Sequence, residues 1–187
     1  CTKEEVPPIL AHEVRNALEK MKIGKTPGPD HITVEMLIGG YHVLGKPLTT
    51  FINERLTKEH LPTSLADSVI SLLFKKGDPM DIQNFRPVAL HSTVYKLFSS
   101  ILRQRMLSCL VSNQPVEQAG FRQKSSTVDH IHAVNQLIEK SCEYKFSLYI
   151  ALVDYSKAFD PVEQDVIWNS LLCQGIHPSP SSVERLH

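Results

Sequence analysis

Asp154 closes an apolar run, Leu148, Tyr149, Ile150, Ala151, Leu152 and Val153, that has the length and composition of a buried strand. An ionised carboxylate at such a place needs water, a cation or several donors around it. Taken alone, Asp154 reads as a solvated strand end. Lys157, Ala158, Phe159 and Asp160 follow closely, and a helix start comes next: Asp160 suits the N-cap, Pro161 the first helical position and Glu163 a capping-box spacing. A carboxylate at a strand end can hold a divalent cation, and N–H groups at a helix N-terminus attract anions. A metal-bound polyphosphate would suit both.

A second chemical grouping is basic. Ser68 to Phe74 reads as a strand, Lys75-Lys76-Gly77-Asp78 as a turn, and Phe85 to Leu90 as a returning strand, with Pro87 marking an edge or irregular position. Lysines at a hairpin tip serve solubility and edge protection in any protein. The planar fork of Arg86, however, matches phosphate oxygens. Gln118-Ala119-Gly120-Phe121-Arg122 reads as a glycine turn beside an anchored phenylalanine. His130 and His132 stand two apart on a predicted helix, so their side chains diverge and a shared zinc is excluded. Gly24-Lys25-Thr26 is not a phosphate loop, because Glu19 stands where that motif needs its first glycine.

The elements that would position these groups are mostly helical. Apolar spacing predicts helices over Ile9 to Ile23, Thr33 to Ile38, Pro47 to His60, Ser92 to Leu110 and Val128 to Lys140, and one from Asp160 to Gln174. Ser92 suits an N-cap, and Gly24, Gly39-Gly40 and Gly175 suit stops. Pro27-Gly28-Pro29-Asp30 is a stiff turn. On the long fourth helix Arg103 and Arg105 could touch a template backbone but read better as solvated positions, and the tail from Ser179 reads as a further helix start or a frayed end.

The 187 residues suffice for one ordinary domain with its own core. Formal net charge is zero, but between Lys75 and Lys124 eight basic residues face three acidic ones, and from Ser125 onward four face eight. A basic middle beside an acidic end could pair a phosphate surface with a metal site, or could be two solvated faces. Cys1, Cys109, Cys142 and Cys173 are too scattered for a metal cluster or disulfide framework, which leaves core thiols. No run approaches the roughly 20 apolar residues of a membrane span, and no signal pattern opens the chain. The expectation is a soluble, intracellular protein.

The string V-D-Y-S-K-A-F-D at Val153 to Asp160 resembles the first palm motif of reverse transcriptases, particularly those of non-LTR (LINE-type) retrotransposons. GKTPGPDHI at Gly24 to Ile32, FKKGDPMDIQNFRPVAL at Phe74 to Leu90 and EQAGFRQKSSTVDHI at Glu117 to Ile131 resemble earlier blocks of that family in the same order. His31 stands where the family usually has glycine, and Gln123, Lys124 and Ser125 replace its proline, glycine and arginine.

The resemblance implies an α+β fold: right-hand polymerase fingers and a partial palm, helix-rich, with a fingers β-hairpin and a palm strand. It divides the chain into an N-terminal helical region (1–60), fingers (61–145) and the start of the palm (146–187). It implies that Lys76 and Arg86, with Lys75 less directly, hold an incoming nucleotide's triphosphate, which the N–H groups of Lys157 and Ala158 also meet. Phe159 would sit under the sugar; the alternative is a core aromatic. Gly120, Phe121 and Arg122 would line the nucleic-acid path. Asp154 would be the catalytic metal-binding acid, with the Tyr155 carbonyl as second ligand, while Asp160 serves as a cap. The implied cofactor is magnesium, or manganese in its place, and the implied partners are an RNA template, a DNA primer and deoxynucleoside triphosphates, with no membrane. The expected setting is the nucleus or cytoplasm.

The implied activity is RNA-directed DNA polymerisation, nucleotidyl transfer to a primer 3′-hydroxyl by two metals in the full-length protein. No Asp-Asp pair occurs in the sequence, although the family carries one in a later hairpin. The chain therefore reads as the front part of a polymerase, inactive by itself. A decayed or repurposed nucleic-acid-binding or interaction module is the alternative. An unrelated phosphotransfer domain, needing a second acid such as Asp160 beside Asp154, is a third.

Overall fold

The computed structural model describes residues 6–58, 62–115, 117–120, 126–155, 158–159 and 161–176. Contacts divide the chain into two compact units, one comprising the residues up to Arg105 with the last nine, the other Met106–Pro178. The fold is helix-rich α+β with one two-stranded antiparallel sheet.

In the first unit, α1 (Ala11–Glu19) buries Val14, Ala17 and Leu18 on one face. Glu13, at its third position, accepts the Leu10 N–H at 2.8 Å, the returning half of a capping box. The helix stops short of the expected Ile23; four residues of loop precede Gly24, whose φ of +66° is a left-handed turn that glycine adopts without cost. Thr33 caps α2 (Val34–Gly39), accepting the Met36 N–H. α3 (Tyr41–Lys58) begins six residues before the predicted Pro47, which lies inside it. The reason is tertiary: the Tyr41 hydroxyl donates to the Ala11 carbonyl at 2.8 Å, and its ring lies against Gly45, so packing holds a turn of helix that Pro47 cannot support with an N–H.

A short α4 (Thr63–Ala66) leads into β1 (Ser68–Phe74), and β2 (Phe85–His91) returns antiparallel to it, with Ser68 opposite His91 and Phe74 opposite Phe85. α5 (Thr93–Asn113) follows immediately; Ser92 caps it, its hydroxyl accepting the Tyr95 N–H at 3.1 Å. Ile9, Val14, Ala17, Leu18, Val34, Leu37, Ile52, Leu97 and Ile101 form the core, so α5 closes over α1, α2 and α3.

In the second unit, α6 (Thr127–Tyr144) is capped by Ser126, whose hydroxyl accepts the Val128 N–H while Asp129 accepts that of Ser126. Lys145 then turns left-handed at φ +54°. The expected palm strand does not form: Leu148 to Val153 has no ladder partner, and Tyr149 and Leu152 are 91% and 94% exposed. A strand is stabilised by neighbours, and this segment has none among the described residues. α7 (Gln164–Cys173) starts later than expected, with Glu163 at the N-cap and Pro161 in the preceding turn; Asp160 lies outside the described residues. Gly175 ends it at φ +81°. Cys142 and Cys173 are exposed and only Cys109 is partly buried, so the core-thiol expectation is corrected for two; Cys1 lies outside the described residues. The tail from Ser179 also lies outside them.

Candidate functional site

The basic grouping is built on the hairpin. Alternation along paired strands puts Leu73 and Arg86 on one face, and Phe74 and Phe85 on the other, their rings edge to face at 5.4 Å. Lys75 closes the last ladder step, its N–H donating to the Asn84 carbonyl at 2.9 Å. Lys76 and Gly77 then turn the chain, Gly77 at φ +96°. The loop beyond is internally bonded: Asp78 Oδ1 accepts the Met80 N–H and Asp81 Oδ1 the Gln83 N–H, both at 2.9 Å. Lys75, Lys76 and Arg86 are exposed, and no ion pair among the described residues uses them. Three cations are thus presented to solvent with their charge unspent.

The root of the hairpin is seated on the Pro27–Asp30 turn. A Cβ on Gly28 would stand 2.5 Å from backbone atoms of His91 and Ser92, so only glycine permits this approach. The Thr93 hydroxyl donates to the Ile32 carbonyl, and Ser92 and Thr93 are buried at 1% and 2% exposure. His91 stacks on Tyr95 with ring centroids 4.8 Å apart. His31 takes φ +55°, a left-handed conformation that glycine would adopt at less cost.

Asp154 and Tyr155 belong to the second unit, as do Gly120, Ala158 and Phe159, whereas Lys75, Lys76 and Arg86 belong to the first. Asp154 is exposed on a segment that is neither helix nor strand. Phe159 is 80% exposed, which rules out the core-aromatic alternative. Gly120 is half-buried, its carbonyl accepting the Gln118 amide at 3.2 Å. Phe121, Arg122 and Lys157 lie outside the described residues. A carboxylate oxygen is the right kind of ligand for magnesium, but among the described residues no three His, Cys, Asp or Glu side chains converge as a metal site. Asp154 offers a carboxylate, and the described residues do not assemble a metal centre around it.

Arg105 corrects the expectation of a solvated arginine. Its guanidinium forks onto both carboxylate oxygens of Glu13, at 2.8 and 2.7 Å, and also donates to the Pro7 and Pro8 carbonyls. This pairing holds the Glu13 carboxyl down at about 2 against an ordinary 4.5, with the Leu10 N–H assisting, and raises Arg105. The signal was spacing: Arg105 follows Leu97 and Ile101 at successive fours, on the buried face. Asn53 also went unnoticed; its side-chain amide brackets Ile9, accepting its N–H at 2.7 Å and donating to its carbonyl at 2.8 Å.

A family model described as reverse transcriptase (RNA-dependent DNA polymerase) matches residues 74–185, and the chain belongs to that family. The relatives the chain matches are proteins of transposons, mobile elements and retrotransposable elements. It is 31% identical over 171 residues to the Transposon TX1 uncharacterized 149 kDa protein of Xenopus laevis, covering 91% of this chain and 13% of that protein. It is 26% identical to the RNA-directed DNA polymerase from mobile element jockey of Drosophila melanogaster, over 82% of this chain and 17% of the relative. The Retrovirus-related Pol polyprotein from type-1 retrotransposable element R2 of Popillia japonica is also 26% identical, over 94% and 24% respectively. The chain thus spans between 13% and 24% of the length of these relatives. No helix among the described residues is long and apolar enough to cross a membrane.

Proposed function

We propose that this chain is the nucleotide-facing part of an RNA-directed DNA polymerase of a non-LTR retrotransposon, comprising polymerase fingers and the start of the palm. The reading is carried by the β1–β2 hairpin, which presents Lys75 and Lys76 at its turn and Arg86 on β2, none of them in an ion pair among the described residues. Lys76 and Arg86 hold the triphosphate of an incoming deoxynucleotide, with Lys75 adding charge. The N–H groups of Lys157 and Ala158 meet the same phosphates, and Phe159 lies under the sugar. Gly120, Phe121 and Arg122 line the path of an RNA template and DNA primer. Asp154 and the Tyr155 carbonyl are two oxygen ligands toward magnesium or manganese, which would supply charge neutralisation in nucleotidyl transfer to the primer 3′-hydroxyl. The divisions 1–60, 61–145 and 146–187 follow from the same reading.

A second reading, a nucleic-acid-binding module without catalysis, is favoured by the described residues holding no group of three or more His, Cys, Asp or Glu side chains that could bind a metal ion. Both readings expect the purified chain to give no magnesium-dependent product in RNA-templated primer extension. Both also expect it to bind a primer–template with steep salt dependence, weakened about tenfold when Lys76 and Arg86 are both alanine. Extension product would exclude the module reading and overturn the expected inactivity of the chain by itself, and binding unchanged in the double variant would sink the assignment of the hairpin.

A further inference from the structure

We infer that Asn84 is the positioning residue of the basic loop, setting Lys75 and Lys76 in the conformation that receives phosphate. The inference rests on the reading of the hairpin as a triphosphate holder. Asn84 reaches three separate points of the loop. Its carbonyl accepts the Lys75 N–H at 2.9 Å, its N–H donates to the Asp81 carbonyl at 3.0 Å, and its side-chain Nδ2 donates to the Asp78 carbonyl at 3.0 Å. The side-chain amide also lies against Gly77: a Cβ there would stand 2.8 Å from Nδ2, 2.9 Å from Cγ and 3.0 Å from Oδ1. Gly77 holds φ +96°, which an L side chain rarely adopts.

The consequence is that Lys76 sits between two backbone positions that Asn84 fixes. Lys75 is tied by its N–H, and Gly77 is seated under the amide. Because Phe85 pairs with Phe74 next in the ladder, Arg86 is set by the same framework two residues beyond Asn84. Lysine and arginine side chains lose much rotamer freedom when they hold a ligand, so a backbone already in place lowers the entropy lost on binding. A flexible loop of the same charge would attract phosphate less tightly. Asn84 itself is half-buried and is not offered as a phosphate ligand.

The test uses the whole chain with inorganic triphosphate as probe. Binding is read by calorimetry, and amide hydrogen exchange is followed in the loop and in α3. Asn84→Ala is expected to speed exchange at Lys75, Asp81 and Asn84 while α3 stays protected, and to weaken triphosphate binding about tenfold with Lys76 and Arg86 untouched. Gly77→Ala, which crowds the amide and also strains the backbone at φ +96°, is expected to loosen the same loop, and the double variant to lose less than the sum of the two because the amide clash is gone. This non-additivity separates positioning from general destabilisation. Loop exchange and affinity unchanged in both single variants overturn the inference; so do additive losses accompanied by faster exchange in α3. If Lys76→Ala and Arg86→Ala bind triphosphate as the parent does, the role in binding falls. A loop loosened by Asn84→Ala would then trace that failure to the reading of the hairpin rather than to the framework.

Discussion

At His31 the chain accepts a left-handed backbone without glycine. That conformation costs an L residue roughly 1–2 kcal/mol, and glycine's greater freedom in the unfolded chain returns part of any gain. His31→Gly is therefore expected to stabilise the protein by about 0.5–1 kcal/mol in urea denaturation; a loss of stability would show that the imidazole makes an offsetting contact. Glu13 gives a pH dependence. Its carboxyl is lowered from 4.5 to about 2 on folding, so the folded state binds the proton less readily than the unfolded one. Its contribution is complete above pH 4.5 and is lost as pH falls toward 2. Arg105→Ala is expected to cost about 2 kcal/mol at neutral pH and to flatten the stability profile between those limits. An acid-denaturation midpoint unmoved by the substitution would contradict it. The exposure of Asp154, Lys75, Lys76 and Arg86 was legible from their type and place. That of Arg105 was not, because its type suggests solvent while its spacing places it over the core.

Helices and the hairpin differ in how much of them local sequence determines. The two strands of the hairpin followed from two apolar runs around a lysine-glycine turn, and the Ser92 cap from one hydroxyl at the right offset. The early start of α3 was hidden because Pro47 is a local stop signal, overridden by the Tyr41 contacts with Ala11 and Gly45. The palm strand was misread for the opposite reason: Leu148 to Val153 has strand composition, but composition cannot supply neighbours. Similar periodicity also conceals different burial. Leu97 of α5 is fully buried, whereas Ile131 of α6 is well exposed. Leu97→Ala is expected to cost about 2–5 kcal/mol and Ile131→Ala under about 0.5 kcal/mol in thermal or urea unfolding. Equal costs would mean that α6 is covered in solution.

Across the whole molecule, every buried apolar residue among those described lies in the first unit, contributed by the segment at Ile9, α1, α2, α3 and α5. Amide exchange is expected to be slowest around Val14, Ile52 and Leu97 and near the free-chain rate from Tyr149 to Tyr155. Protection across that exposed stretch would refute the asymmetry. The seat of the hairpin adds a constraint of another kind. Thr93 follows its partner Ile32 by 61 residues, and Gly28 lies on the same early side of the contact. A ribosome delivers the Pro27–Asp30 turn well before the β2–α5 corner that rests on it. The corner is therefore expected to mature onto a surface already made, and a chain begun after Asp30 would emerge with its hairpin built but with nothing to lean on.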